Sequence, residues 1–278
     1  GGDVQVRTKD FPGRRTWSFE VVQGFAQDVT FSDRRSYRYY QSLGSGERSM
    51  PSEVDGVPVP NMTPALVPQL ASMARSFVNE WTPYSTKAAP NRRYSATYGD
   101  EVKLFGRSMG MIFSSTFSRA FDAQEESQRL FRSSSDTIYD YRVTKWTDVA
   151  QLAGLGGLSY RLSPAHSLHL RGLYTSTADD EVRIYEGTHH NSSEAFSNEW
   201  HNRRNTRLLY AQRTVMSGSV DGKHQFQSVL GTGFDWKLTR SRAERDQPDR
   251  RDITYNRSFW FEGDTAHWSL GSQGLREY

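Results

Sequence analysis

Histidine and acidic residues have the clearest potential for metal chemistry in this sequence. His189-His190 and the nearby His201 offer imidazole nitrogens, which suit zinc, copper or nickel. Glu125-Glu126 and Asp179-Asp180-Glu181 offer carboxylates that could bind calcium. The histidines lack the defined spacing of a ligand motif, and a solvated loop is the simpler interpretation of the acidic runs. We therefore expect neither a metal nor a cofactor.

Catalytic and nucleic-acid-binding patterns are not found in the sequence. There is no Ser-His-Asp order typical of a nucleophilic triad, no phosphate-binding glycine loop and no nucleophile elbow. Gly154-Leu155-Gly156-Gly157 falls inside a predicted strand, where glycine relieves crowding. Arg203-Arg204 and Arg250-Arg251 have acidic residues close by, which disfavours a nucleic-acid surface. We expect a protein that is not an enzyme and binds no nucleic acid.

Aromatic residues in or beside the predicted long connections are the better candidates for binding a ligand. Flat rings bury a large area at low entropic cost, and sugars, peptides and chelates all bind to them. The predicted substrate-binding residues are Trp81, Tyr84, Tyr139, Tyr141 and Trp200. Packing within the loops, or a ring girdle at a membrane interface, is the alternative interpretation for most of them.

Strands with one apolar side are the elements that would position these rings. Between Met109 and Phe121 the apolar residues share one parity and small polar residues the other, with Ile112 as the exception. Gln225 to Ser241 repeats the pattern. These strands exceed the usual soluble length of about 5–6 residues and approach the roughly 9–11 that a tilted strand needs to cross a bilayer. The pattern is typical of a transmembrane β-barrel.

The composition agrees with this interpretation. Hydrophobic residues are 35% of the 278 and the mean hydropathy is −0.75, which suits a barrel because only half of each strand faces lipid. No apolar run approaches the roughly 18 residues of a spanning helix. Aromatic residues reach 13%, as expected for a barrel with aromatic girdles, and cysteine is absent. The net charge of +3 is small.

Eight strands are predicted, with short turns at one end and long connections at the other. Tight turns are expected at residues 105–108, 163–166 and 221–224, and long polar loops over residues 122–142, 176–204 and from 242 onward. Strand two is expected over residues 29–40. A long loop over residues 43–93 should contain a helix near residues 64–81, with Thr63-Pro64 at its start. Short inner turns and long outer loops are typical of outer-membrane barrels.

Four stretches together resemble one family. Gly1 to Pro12 resembles the segment that ends the plug of TonB-dependent outer-membrane receptors, just before the first barrel strand. Tyr160 to Leu168 and Ala178 to Arg183 are similar to a periplasmic hairpin and the outer loop after it, and Arg245 to Arg251 is similar to a further loop. The nearest subgroup is the large receptors of Bacteroidota-like bacteria that carry a carboxypeptidase-regulatory-like domain before the plug.

The resemblance implies a barrel of about 22 strands, filled by a plug, in the outer membrane of a Gram-negative bacterium. It divides the chain into residues 1–13, the end of the plug, and residues 14–278, the N-terminal part of the barrel. The expected function is uptake of a scarce ligand (a small molecule, glycan or peptide) with energy from the TonB complex. The expected partners are TonB, through a region N-terminal to this segment, and membrane lipid. The alternatives are a non-energised structural or adhesive barrel and a soluble all-β binding domain.

Overall fold

A computed structural model describes most of the chain as antiparallel β-sheet. The described residues are 12–37, 51–58, 63–133, 136–190, 200–226, 231–258, 268–271 and 275–277. The strands are β1 Thr16–Gly24, β2 Asp33–Ser36, β3 Tyr84–Lys87, β4 Asn91–Leu104, β5 Arg107–Ser133, β6 Asp136–Ser163, β7 His166–His190, β8 Trp200–Phe226, β9 Thr232–Ser258, β10 Trp268–Leu270 and β11 Leu275–Glu277. A 3-10 turn at Pro64–Leu66 leads into helix α1, Val67–Ser76. The predicted all-β class is confirmed.

Nine of these strands form one sheet. Its order is β1-β4-β5-β6-β7-β8-β9-β10, and β11 pairs with β9. Every pairing is antiparallel, and β2 and β3 form a separate two-stranded sheet. Within the described residues the large sheet is open, with β1 at one edge. Strands β5 to β9 are each 25 to 28 residues long.

Alternate residues of these strands form two surfaces, because successive side chains point to opposite sides of a sheet. We call face A the side that carries Phe113, Leu158 and Leu170, and face B the side that carries Ser114 and Arg171. The registers place directly opposed residues on the same face across all the long strands. The predicted apolar parities of strands β1, β5, β6, β7, β8 and β9 all fall on face A, as the alternation indicates.

Two of the three predicted tight turns are confirmed. Phe105 and Gly106 connect β4 to β5, and both have positive φ angles, 52° and 74°. Pro164 and Ala165 connect β6 to β7. The turn predicted at residues 221–224 is wrong, because β8 continues to Phe226 and β9 begins at Thr232.

The predicted long loops at the other end are wrong in part, because much of their length is strand. Residues 122–133 extend β5, residues 136–142 begin β6, residues 176–190 extend β7, residues 200–204 begin β8 and residues 242–258 extend β9. Extended hairpins therefore rise beyond the apolar part of the sheet. Backbone pairing with the neighbouring strand satisfies their polar groups, although both of their faces carry charged residues.

The stretch between β1 and β4 packs on face A. We call its described residues, 25–37, 51–58 and 63–90, the strap. Predicted strand two is short here, since residues 27–31 form a turn and only Asp33–Ser36 is strand. The predicted helix is present and shorter, as Val67–Ser76. Strand β2 of the strap lies over β6 and β7.

The best-packed apolar cluster joins the strap to the sheet. Tyr37 of the strap contacts Val182 on β7 and Leu208 on β8, and each of these three residues is about 1% exposed. Trp146 and Ile184 pack around them. This cluster covers the upper part of face A, and the lower part stays open.

Candidate functional site

The lower part of face A is a wide exposed apolar surface, which we call the belt. Trp17 on β1 is 79% exposed, Leu170 on β7 is 50% exposed and Leu238 on β9 is 70% exposed. The belt therefore crosses most of the sheet. The other large side chains of the belt are Phe19, Val21, Tyr94, Met109, Met111, Phe113, Phe117, Leu152, Leu158, Tyr160, Leu168, Tyr174, Met216, Val220, Phe234 and Trp236. Exposed apolar patches of this extent mark a surface that contacts a protein or a membrane.

The belt runs diagonally across the strands. One register row begins with Asp100 on β4 and ends with Leu238 on β9, passing through Met111, Leu158, Leu170 and Val220. The next row up begins with Trp17 on β1 and ends with Arg240 on β9. Charge thus occupies the upper edge of the belt at β9. On β4 the apolar residues Val102 and Leu104 continue face A below Asp100, so the slope belongs to the upper edge.

The slope can be measured from the register. Phe117 is the last large apolar residue of the belt on β5, and its row reaches Glu244 on β9. The last apolar residue of the belt on β9 is Leu238, so the edge falls by six residues (238 to 244) between β1 and β9, because Val21, Tyr94 and Phe117 share one row. Strands tilted by about 35–45° would move a horizontal band by roughly 1.0–1.4 residues per step. The observed mean slope over the six steps, about 1.0 residue per step, lies at the lower end of that range.

The charged residues at the edges of the belt are paired or exposed. Asp100 accepts hydrogen bonds from the Arg15 guanidinium and the Tyr98 hydroxyl, both at 2.8 Å. Arg242, which follows Arg240 on the same face, forms a 2.7 Å ion pair with Glu244. Arg171 of β7 and Arg207 and Arg213 of β8 lie on face B, opposite the apolar parity of their strands. The two arginines of β9 were missed, because their position depends on the slope.

Face B behind the belt is mainly polar and hydroxyl-rich, with Leu155, Leu173 and Val215 as apolar exceptions. Ser95 and Thr116 are 3.1 Å apart, and Thr97 and Ser114 are 3.0 Å apart, as cross-strand hydroxyl pairs. Farther along the sheet, Ser217 and Ser241 pair at 2.8 Å and Arg171 forms an ion pair with Asp221. Exposing such a surface to water costs little free energy, whereas placing it against lipid would cost much more.

Above the belt, face A carries a buried ion cluster under the strap. Asp148 accepts two hydrogen bonds from the guanidinium of Arg119, and Arg34 of the strap lies 3.6 Å from the same carboxylate. Both arginines stack on the Phe121 ring, at 4.8 and 4.6 Å from its centre. Burial lowers the pKa of Arg34, and Asp148 opposes that shift. The strap covers this ion cluster and supplies Arg34, so the charges stay buried only while the strap stays in place.

Two predicted binding residues lie together on face B, at the top of β6. The rings of Tyr139 and Tyr141 stack with centres 4.8 Å apart, and His189 of β7 lies nearly parallel to both. The Tyr141 hydroxyl is 2.9 Å from Nδ1 of His189. Tyr185 meets Tyr141 edge-on at 6.4 Å. These four residues form an aromatic platform.

A basic residue completes this platform. Arg203 of β8 occupies the same register row as Tyr141, with Gly187 of β7 between them. A Cβ at position 187 would collide with the carbonyl oxygen of Asp140, so glycine is required there. Burial raises the pKa of Tyr141, while the charge of Arg203 and its hydrogen bond lower it. The sequence did not indicate His189 as a ring partner, nor Tyr185 and Arg203 as members of the site. Only the pairing of β6, β7 and β8 brings these residues close to Tyr141.

The other predicted binding residues do not join the platform. Trp81 and Tyr84 belong to the strap and therefore lie on the face A side; the Trp81 indole donates to Asn79 at 2.6 Å. The backbone of Trp200 pairs with His190 at the top of β7, and its side chain lies outside the described residues. The five predicted residues therefore belong to at least two different surfaces.

The metal candidates are dispersed along the strands. Asp179 pairs with Arg213, and Glu181 pairs with Arg183 at 3.0 Å. In the described part of the chain, no three His, Asp or Glu side chains group closely enough to hold a metal ion. The side chains of His190 and His201 lie outside that part.

Comparison with known proteins gives no match. No protein-family model, no curated protein and no solved structure is similar to this chain. Among the described residues, no helix has both the length and the apolar character to span a membrane.

Proposed function

We propose that this chain forms part of the wall of an outer-membrane β-barrel, with face A towards lipid and face B towards a water-filled lumen. The observation that supports it best is the sloping belt. On β5 it runs over the nine residues from Met109 to Phe117, close to the roughly 9–11 that a tilted strand uses to cross a bilayer. The charged upper edge of the belt on β9 also follows the diagonal that tilted strands would give.

The polar side of the wall fits the same proposal. Lumen-facing residues of large barrels are polar and lipid-facing residues apolar, in alternation along each strand. The hydroxyl pairs and the Arg171–Asp221 ion pair supply that polar lining behind the belt. The hairpins above the belt then extend into the external medium, and the strap packs against their outward side.

Uptake of a ligand with energy from TonB is the function that we assign to this barrel. The resemblance of the sequence to TonB-dependent receptors supports it, together with the aromatic platform on the lumen side above the belt. In this account the plug and the TonB contact lie outside the described residues. A non-energised barrel and a soluble β domain are the competing functions.

Membrane location is tested first by fractionation of the full-length protein in a Gram-negative host. We expect the protein to stay with the outer membrane after carbonate and urea washes and to require detergent for release. Its folded form should also migrate faster than its boiled form in a denaturing gel. Recovery of monomeric protein in the aqueous fraction without detergent would contradict the barrel.

Energised uptake is tested by comparing three strains of the source bacterium: the parent, a strain without this protein and a strain without TonB. A compound that only the parent depletes from the medium is the expected result. Depletion that depends on this protein and continues without TonB would support a non-energised barrel.

A further inference from the structure

Among the described residues, no acidic side chain forms an ion pair with Arg203. Its Nε donates to the side-chain oxygen of Asn256 at 3.0 Å, and its other partner is the hydroxyl of Tyr141. Both partners are uncharged. Arg203 is only partly exposed. A partly buried guanidinium with neutral partners is unusual, since water is displaced and no anion replaces it.

The acidic residues of this part of face B are already engaged. Glu181 pairs with Arg183, and Asp252 accepts from both Arg207 and Arg250. Glu126 accepts a hydrogen bond from Gln128 at 3.4 Å. These contacts hold the acids one to three register rows from Arg203, so the guanidinium stays available to an external anion.

The aromatic platform beside Arg203 adds a surface for a flat group. The Tyr139, Tyr141 and His189 rings lie within 16° of parallel, so they present rings of one orientation. Because residue 187 has no side chain, the Tyr141 hydroxyl and the Arg203 guanidinium meet across β7, and the cation adjoins the platform. An anionic group at Arg203 would therefore place an attached ring next to the platform.

We propose that Arg203 and the aromatic platform together bind a ligand that carries a carboxylate on a ring with an apolar face. The guanidinium fork pairs with the carboxylate, and Tyr139 and Tyr141 stack against the ring. Aromatic acids and uronic acids share this chemistry. The inference depends on the proposed function only in that face B must be the lumen side, where such a ligand would pass.

The test is a binding measurement by calorimetry on the full-length protein with two acidic probes, 4-hydroxybenzoate and galacturonate. The neutral analogues are 4-hydroxybenzyl alcohol and galactose. We expect at least one acid to bind more tightly than its neutral analogue. The acid that binds shows whether the ring of the ligand is aromatic or a sugar. If neither acid is preferred, the proposal is overturned.

Arg203→Gln is the decisive variant, because glutamine keeps a hydrogen-bond donor and removes the charge. We expect it to weaken binding of the preferred acid about tenfold or more and to leave the neutral analogue unchanged. Arg204→Gln is the matched control: it is the next residue, lies on face A, and pairs with Glu186 at 2.5 Å. Equal effects of the two substitutions would overturn the proposal.

Tyr139→Leu tests the stacking separately. It should weaken both the acid and its neutral analogue severalfold, because the ring contact is independent of charge. No change with either probe would contradict the role of the platform. Membrane insertion of every variant should match that of the parent protein. A failed binding test would therefore overturn the ligand proposal and leave the proposed barrel wall intact. A failed fractionation test would overturn the barrel wall itself.

Discussion

Face A and face B are built from alternate residues of the same strands, yet they carry surfaces of opposite character. Phe113 on face A is 47% exposed in the belt, and Ser114, the next residue, forms a hydroxyl pair with Thr97 on face B. Face A itself also changes along the strands, from an open belt below to a charged cluster covered by the strap above. Parity therefore decides whether the surface at belt height is apolar or polar, and height along the strand decides whether face A is open or covered by the strap.

The largest effect is expected from placing charge in the middle of the belt. Phe113→Arg loses the apolar contact and puts a cation against lipid, a combined cost of about 4–6 kcal/mol. The matched substitution Ser114→Arg lies at the same height and faces water, so it should cost about 1 kcal/mol for the lost hydroxyl pair. Urea titration of the full-length protein refolded into lipid vesicles measures both. Similar losses at the two positions would refute the assignment of the faces.

The next effect concerns the covered part of face A. Asp148→Asn removes the carboxylate that pairs with the buried Arg119 and Arg34, and leaves Asp180 as a weaker counter-charge for Arg34, so it should cost about 3 kcal/mol. The strap should then become sensitive to limited proteolysis. Glu244→Gln, which breaks the exposed pair with Arg242, serves as the control and should cost less than about 1 kcal/mol. An unchanged proteolysis pattern in Asp148→Asn would show that this cluster does not hold the strap.

A third prediction tests the slope of the belt. Leu238→Arg puts a cation inside the belt on β9 and should cost about 2 kcal/mol, whereas Arg240→Leu, two residues higher on the same face, should be nearly neutral. The same vesicle titration provides the measurement. If Arg240→Leu proved as harmful as Leu238→Arg, the upper edge would not lie between them.

The smallest effect is expected at a glycine of the belt. A Cβ at Gly222 would collide with the Trp236 indole, whose Nε1 donates to Nε2 of His224 at 3.1 Å. Gly222→Ala should move the ring, break this bond and cost about 1 kcal/mol. Gly218→Ala is the control, since a Cβ there would have only an ordinary 3.9 Å contact. We expect the fluorescence of Trp236 to shift in Gly222→Ala and not in Gly218→Ala. The Trp236→Phe protein serves as the reference that identifies the signal of this ring.

The sequence predicted the belt well, because alternation with a period of two is a local property of each strand. It mistook residues 122–133 and 176–190 for loops, because above the belt both faces are polar or covered by the strap and the alternation disappears. It also predicted a turn at Asp221-Gly222, where the glycine instead makes room for the Trp236 ring. In both cases a contact distant in sequence decided the outcome.

The candidate binding site was predicted only in part, for a related reason. Tyr139 and Tyr141 are two residues apart on one strand, so their shared face could be read from the sequence. Tyr185, His189 and Arg203 join them through the register of β6, β7 and β8, which no local pattern specifies. Trp81 and Tyr84 were grouped with them as loop residues, although the strap carries both to the other face.

Labelling of single cysteines on the two faces tests the proposal that the belt faces lipid. The chain has no cysteine, so each introduced thiol is the only one in this segment. In the full-length protein in lipid vesicles, with any other cysteine replaced, fluorophores at positions 113, 170 and 238 should be quenched by brominated lipid chains and resist aqueous iodide. Fluorophores at positions 114, 171 and 239 should show the reverse. Equal quenching of both sets by iodide would contradict the lipid-facing belt.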